Sequence, residues 1–151
     1  LHNRYKVDLD ESGLIYSFTT RFNVKYNLIL TVYQIAGVKS YSLSLYPDKE
    51  INVFDYWIKN TVIKVIADIL AIDANVIFYV CDNMDGKEDE RHIIFDYWYE
   101  KAKSTYSFIG KYDYCFDSEH GYKLNTSVLF NKENILSAYI IENFIKSFEN
   151  Q

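Results

Sequence analysis

From Ser40 to Leu45 the chain alternates without a break, in a strand that stops at Pro47. Ser40, Ser42 and Ser44 fall on one side, Tyr41, Leu43 and Leu45 on the other. A period of two is the signature of a strand with one buried face. Beyond Pro47 the period changes. Phe54, Trp57, Ile58, Thr61, Val62, Val65, Ile66 and Ile69 recur every three or four residues, which sets one apolar stripe along a helix. A chain that switches period in this way must pack a helix on a sheet.

The same two periods order the rest of the sequence. Tyr5 to Leu9 reads as a first strand, turned at Asp10-Glu11-Ser12-Gly13. Leu14 to Phe22 alternates next, with Leu14, Tyr16 and Phe18 opposite Ser17 and Thr19, and Asn27 to Ile35 runs on until Gly37 breaks it. Asn52 is the expected N-cap of the first helix, with Asp55 three residues later favouring its positive end. Val76 to Cys81 is short and apolar throughout, the pattern of a buried central strand. Lys87 to Ala102 returns to helical spacing, with Arg91, Phe95, Trp98 and Ala102 along one side. Lys111 to Phe116 and Tyr122 to Phe130 are expected to form a hairpin, and Asn131 to cap a last, apolar-striped helix. The fold class is therefore α+β: an antiparallel-dominated sheet with packed helices, in the order β(2–4)-α-β-α-β-β-α.

At 151 residues, with 49% hydrophobic and 25% charged residues, the chain is expected to form a single domain over residues 1–151. Aromatic residues make up 18% of it, including 15 Tyr. Tyr buries a ring while keeping a polar tip, so such a share fits either β-rich packing or a Tyr-rich contact surface. The net charge is −5, and no cluster of Lys and Arg is present to neutralise phosphates, so nucleic acid is not an expected partner. No apolar run reaches membrane-spanning length and no signal-peptide pattern opens the sequence. Cys81 and Cys115 lie 34 residues apart without metal-ligand spacing, so the expectation is a cytoplasmic protein with both thiols reduced.

The densest polar segment follows the inferred central strand, at Cys81-Asp82-Asn83-Met84-Asp85-Gly86-Lys87. Asp82 and Asp85 could bind a cation, act as a base or hold Arg91; equally, Asp-Gly is an ordinary turn and Asp85 a helix cap. A calcium loop fails at both ends, because placing Gly86 sixth puts Cys81 first and His92 twelfth. Arg91 lies at helical spacing with Phe95 and Trp98, which suits a structural ion pair or an anion contact. Asp82, Asp85, Lys87 and Arg91 are thus the candidate ligand-binding or structural cluster. His92 pairs by spacing with Asp96, but neither it nor His120 has a nucleophile or metal-ligand set beside it. No catalytic residue, metal or cofactor is assigned.

Tyr79-Val80-Cys81-Asp82, Asp85-Gly86-Lys87, Arg91, Phe95 and Trp98 resemble a family of small bacterial proteins of uncharacterised function, domain of unknown function 6169. Leu14-Ile15-Tyr16, Tyr41-Ser42-Leu43 and the Ile58 to Val62 helix start extend that resemblance over nearly the whole chain. Where relatives are expected to open the first helix with Pro-Arg, this chain has Tyr56-Trp57. The resemblance implies the fold layout and carries no activity. The element order is also similar to the later part of N-acetyltransferase-like domains, with Phe95 to Lys101 similar to their tyrosine-bearing helix. Those enzymes hold a pyrophosphate on a Gly-rich turn, and Asp48 to Phe54 contains no Gly. The leading expectation is a non-catalytic module that contacts another protein; the alternative is a diverged acetyltransferase-like enzyme with a ligand site near Asp82 to Arg91.

Overall fold

The computed structural model describes residues 3–50, 55–81, 88–117, 121 and 123–149, leaving out the side chains of Val80, Cys81, 88–92, Lys123 and Phe148. Its strands are β1 (Asp8–Leu9), β2 (Ile15–Thr19), β3 (Lys25–Ile35), β4 (Val38–Pro47), β5 (Val76–Cys81), β6 (Ile109–Asp117) and β7 (Lys123–Asn131). Its helices are α1 (Tyr56–Leu70), α2 (Glu88–Ala102) and α3 (Ser137–Glu149). The α+β class follows directly. The strands form one sheet in the order β1-β2-β3-β4-β5-β7-β6. Every pair is antiparallel except β4 with β5, which the α1 crossover makes parallel.

Alternation decides which face each strand buries. Phe18, Tyr26, Leu28, Leu30, Ile77, Tyr79, Ile109 and Leu129 line one face, where α1 adds Val62, Val65, Ile69 and Leu70. On the other face Val76 and Val128 pack with Ile140 and Phe144 of α3. The central strand β5 supplies apolar residues to both, as its unbroken apolar run predicts. Gly110 is required beside this second core, since a Cβ there would lie 2.5 Å from the Phe130 ring. Among the described residues no helix is long and apolar enough to cross a membrane.

Three expectations need correction. The N-cap of α1 is Asp55, whose carboxylate accepts a hydrogen bond from the Trp57 backbone N–H. Asp55 is fixed there by tertiary contacts absent from any local pattern: Tyr5 donates its hydroxyl to Asp55, and Arg21 lies 3.6 Å away. Tyr5 and Arg21 also pack on the Trp57 ring, which gives that residue its use at the helix start. Second, Asn131 does not cap α3. It ends β7, donating to the Leu70 carbonyl at the end of α1, and Asn134 instead accepts from the Leu136 N–H ahead of the helix. Third, of the Tyr5 to Leu9 strand only Asp8–Leu9 pairs with β2, because Tyr5 N–H turns aside to the Thr61 hydroxyl.

The register bears on the cysteines. Cys81 and Cys115 both stand opposite Asn125, on either side of β7, so two strand spacings put their Cα atoms about 10 Å apart. A disulfide needs less than about 7 Å. Thiol titration of the unfolded, non-reduced protein should therefore find two free groups; an intramolecular bridge by mass would contradict this register.

Candidate functional site

Of the four residues singled out in the sequence, Asp82, Asp85 and Lys87 lie outside the described residues, and Arg91 has only its backbone described, in the first turn of α2. His92 is in the same position as Arg91, and His120 lies outside as well. Among the described residues no group of three or more His, Cys, Asp or Glu side chains is placed to hold a metal ion. The helix that this segment begins is nonetheless the feature around which polar and aromatic groups gather.

The inner side of α2 lies over β5, β6 and β7. Phe95 packs on the Tyr79 ring at 4.6 Å between centroids and meets Trp98 edge-on at 5.8 Å. Beside them sits Lys111 of β6, whose side chain is only 5% exposed. A buried ammonium needs anions. Asp96 of α2 and Asp113 of β6 supply them, Asp113 at 2.6 Å, and Ser127 of β7 donates its hydroxyl to Asp113. The Lys111 ammonium also lies 5.5 Å from the centre of the Tyr99 ring. Burial works against its charge, but hydrogen bonds to Asp113 and Asp96 outweigh that and hold its pKa above the usual lysine value. Asp96 is thus engaged across the helix–sheet junction; the His92 side chain, which spacing sets one turn before it, lies outside the described residues.

Tyr79 is the exception in this cluster. It is 5% exposed, and its hydroxyl is buried without a hydrogen-bond partner. Burial pushes its pKa up to about 12; the nearby Ser127 hydroxyl and the Lys111 charge pull weakly the other way. The Ser127 hydroxyl lies near the phenol and lowers its pKa more than Lys111 does, while its own proton goes to Asp113. A cavity of about 40 Å³ lies alongside, walled by Leu43, Ile66, Tyr79, Phe95, Trp98 and Leu129 among others. It has room for water and not for a cofactor, since ligand pockets run to several hundred Å³.

The outer side of α2 also carries apolar residues. Ile93 is 66% exposed, and Ile94 and Tyr97 are each about half exposed. Spaced at three and four residues, they form one surface. Tyr56, 60% exposed at the start of α1, extends it, for the Lys59 ammonium lies 5.7 Å from the Tyr56 ring and 5.5 Å from the Tyr97 ring. Lys101 approaches Tyr97 from one helical turn further on, at 5.3 Å. A helix that packs one side on a sheet should be polar on the other. Here the outer stripe is isoleucine and tyrosine. The signal was present in the sequence: Ile93-Ile94 and Tyr97 are too many apolar residues for a single stripe that already holds Phe95, Trp98 and Ala102.

A comparison with protein-family models matches residues 54–146 to a family of unknown function, DUF6169. No curated protein and no solved structure matches the chain. The matched span includes α1, α2 and the strands between and after them.

Because the Tyr79 hydroxyl has no partner, Tyr79→Phe should leave the denaturation midpoint unchanged or raise it, by up to about 1 kcal/mol. A loss larger than that would mean that the hydroxyl is bonded in solution. The pH dependence has a definite sign. A tyrosine whose folded pKa is raised adds no penalty below pH 10, and its stabilising difference is lost as pH climbs from about 10 towards 12. Stability measured across that window should fall less steeply in the Phe variant than in the parent.

Proposed function

This chain belongs to the DUF6169 family, and we propose that it is a non-catalytic protein-interaction module whose contact surface is the outer side of α1 and α2. The observation that carries this reading is the exposed run of Ile93, Ile94 and Tyr97, continued by Tyr56 across the helix pair. Aromatic and aliphatic side chains gathered on a rigid element are what a partner can desolvate. The buried groups beneath argue for a supporting role. Lys111 is locked in its charged form by two carboxylates and Tyr79 in its neutral form by burial, so neither exchanges a proton near pH 7 as an acid–base catalyst must.

Affinity capture from the native cell, read by mass spectrometry, tests this reading. Wild-type protein should retain a partner that Ile93→Ser and Tyr97→Ser each reduce about tenfold or more, as expected for an interface anchor. Both residues are exposed, so the variants should keep their circular dichroism spectrum and melting midpoint. Retention unaffected by either substitution would overturn the assignment of this surface.

One observation favours the second reading, a diverged N-acetyltransferase-like enzyme. The parallel β4–β5 pair sets the carboxyl ends of two strands side by side, where open sheets with helical crossovers often bind ligands. The segments that leave those ends lack a Gly-rich phosphate turn: Asp48 to Phe54 contains no Gly, and one lysine, Lys49, does not replace a nest of backbone donors. Titration calorimetry with acetyl-CoA at about 0.1 mM should accordingly show no specific binding. A saturable one-to-one isotherm of micromolar affinity would put the enzyme reading in place of the interaction module.

A further inference from the structure

We propose that the partner of the α1–α2 surface presents an acidic polypeptide segment, with Asp or Glu beside an apolar anchor; this rests on the reading of that surface as the contact site. The inference comes from how lysines are distributed. Elsewhere on the helices and just past α2, lysines are matched by a carboxylate within a turn: Lys64 by Asp68, Lys103 by Glu100 and Lys146 by Glu142. Lys59 and Lys101 are not. Among the described residues neither forms an ion pair, and both ammonium groups converge instead on the Tyr97 ring from two different helices, at 5.5 Å and 5.3 Å.

That arrangement is electrostatically incomplete. Two cations share one ring, and like charges gathered on one group repel. The negative face of Tyr97 offsets part of that repulsion, as cation–ring attraction does even at an exposed contact. A carboxylate brought to the rim of Tyr97 would be attracted by both lysines at once. An aliphatic or aromatic neighbour in the same segment would cover Ile93 and Ile94. On a chain of net charge −5, two lysines gathered on one ring would also help to orient the encounter. Two lysines are too few to hold a nucleic acid by phosphate neutralisation, which makes a protein segment the better match.

Peptide-display selection on the immobilised full chain tests the idea while the partner itself is unidentified. Selected peptides, resynthesised with a fluorophore and titrated by anisotropy, should carry Asp or Glu next to Leu, Ile, Phe or Trp. Their affinity should fall about tenfold or more in the Lys59→Glu/Lys101→Glu variant, and should weaken between about 50 and 200 mM salt. Peptides that depend on Ile93 and Tyr97 but are neutral or basic, and indifferent to the charge reversal, would overturn the acidic partner and leave the contact surface standing. Peptides indifferent to all four residues, or no selection at all, would remove both. Binding of a single-stranded oligonucleotide or of anionic phosphatidylserine vesicles through Lys59 and Lys101, with no acidic peptide selected, would also overturn it.

Discussion

Two residue pairs hold the two halves of this sheet together. Tyr41 with Ile77 and Ser42 with Phe78 are the whole of the parallel ladder between β4 and β5. On one side β1 to β4 form an antiparallel meander, and on the other β5, β7 and β6 form a second antiparallel unit. So short a ladder cannot by itself fix the halves, because each hydrogen bond contributes a net of only about 1 kcal/mol. The coupling is made by α1, whose Val62, Val65, Ile69 and Leu70 pack on residues from both halves in one core. The position of α1 depends in turn on Asp55 at its start and on the Asn131 amide at its end, where β7 holds the Leu70 carbonyl. Helix, sheet junction and caps therefore form one mechanical unit.

Much of this was legible in residue order. The serine–leucine alternation of β4, the helical period of α1 and the unbroken apolar run of β5 each specify their element; burial follows the pattern in α1 and β5, whereas in β4 both faces are covered and Ser40 is fully buried. What could not be read were partners distant in sequence. Asp55 caps α1 because Tyr5 and Arg21 reach it from the N-terminal part of the chain, so a local rule that favoured Asn52 had no access to the deciding contacts. Asn131 looks like a cap by composition but is claimed by a carbonyl 61 residues away.

The outer side of α2 shows the same division. The abundance of tyrosine announced a contact surface or dense β packing, and the tyrosines divide between burial and exposure: Tyr26 and Tyr79 are core residues, while Tyr56 and Tyr97 stand in solvent. Which tyrosine does which depends on the face of α2 that the sheet selects. Spacing alone could not assign it, because α2 offers two apolar faces. The sheet takes Phe95 and Trp98, which leaves isoleucine and tyrosine outside. Asp96 was likewise legible as a charged partner but not as a partner of Lys111, because that pair forms only when β6 is laid under α2.

The Lys111 cluster has a meaning for the sheet as well as for α2. β6 is its outermost strand, nine residues long, whereas the opposite edge, β1, has two. A long open edge is a template on which further strands can add, and flat apolar ones recruit neighbouring molecules. Here the middle of the strand carries Lys111 and Asp113 turned towards the helix, with Asp96 above them. A strand arriving from another molecule would meet an edge strand that carries inward-pointing charged residues, one of the devices by which natural edges are blunted. The ion cluster beneath α2 thus also places charge on the longest edge of the sheet, the kind of residue with which natural edges discourage added strands.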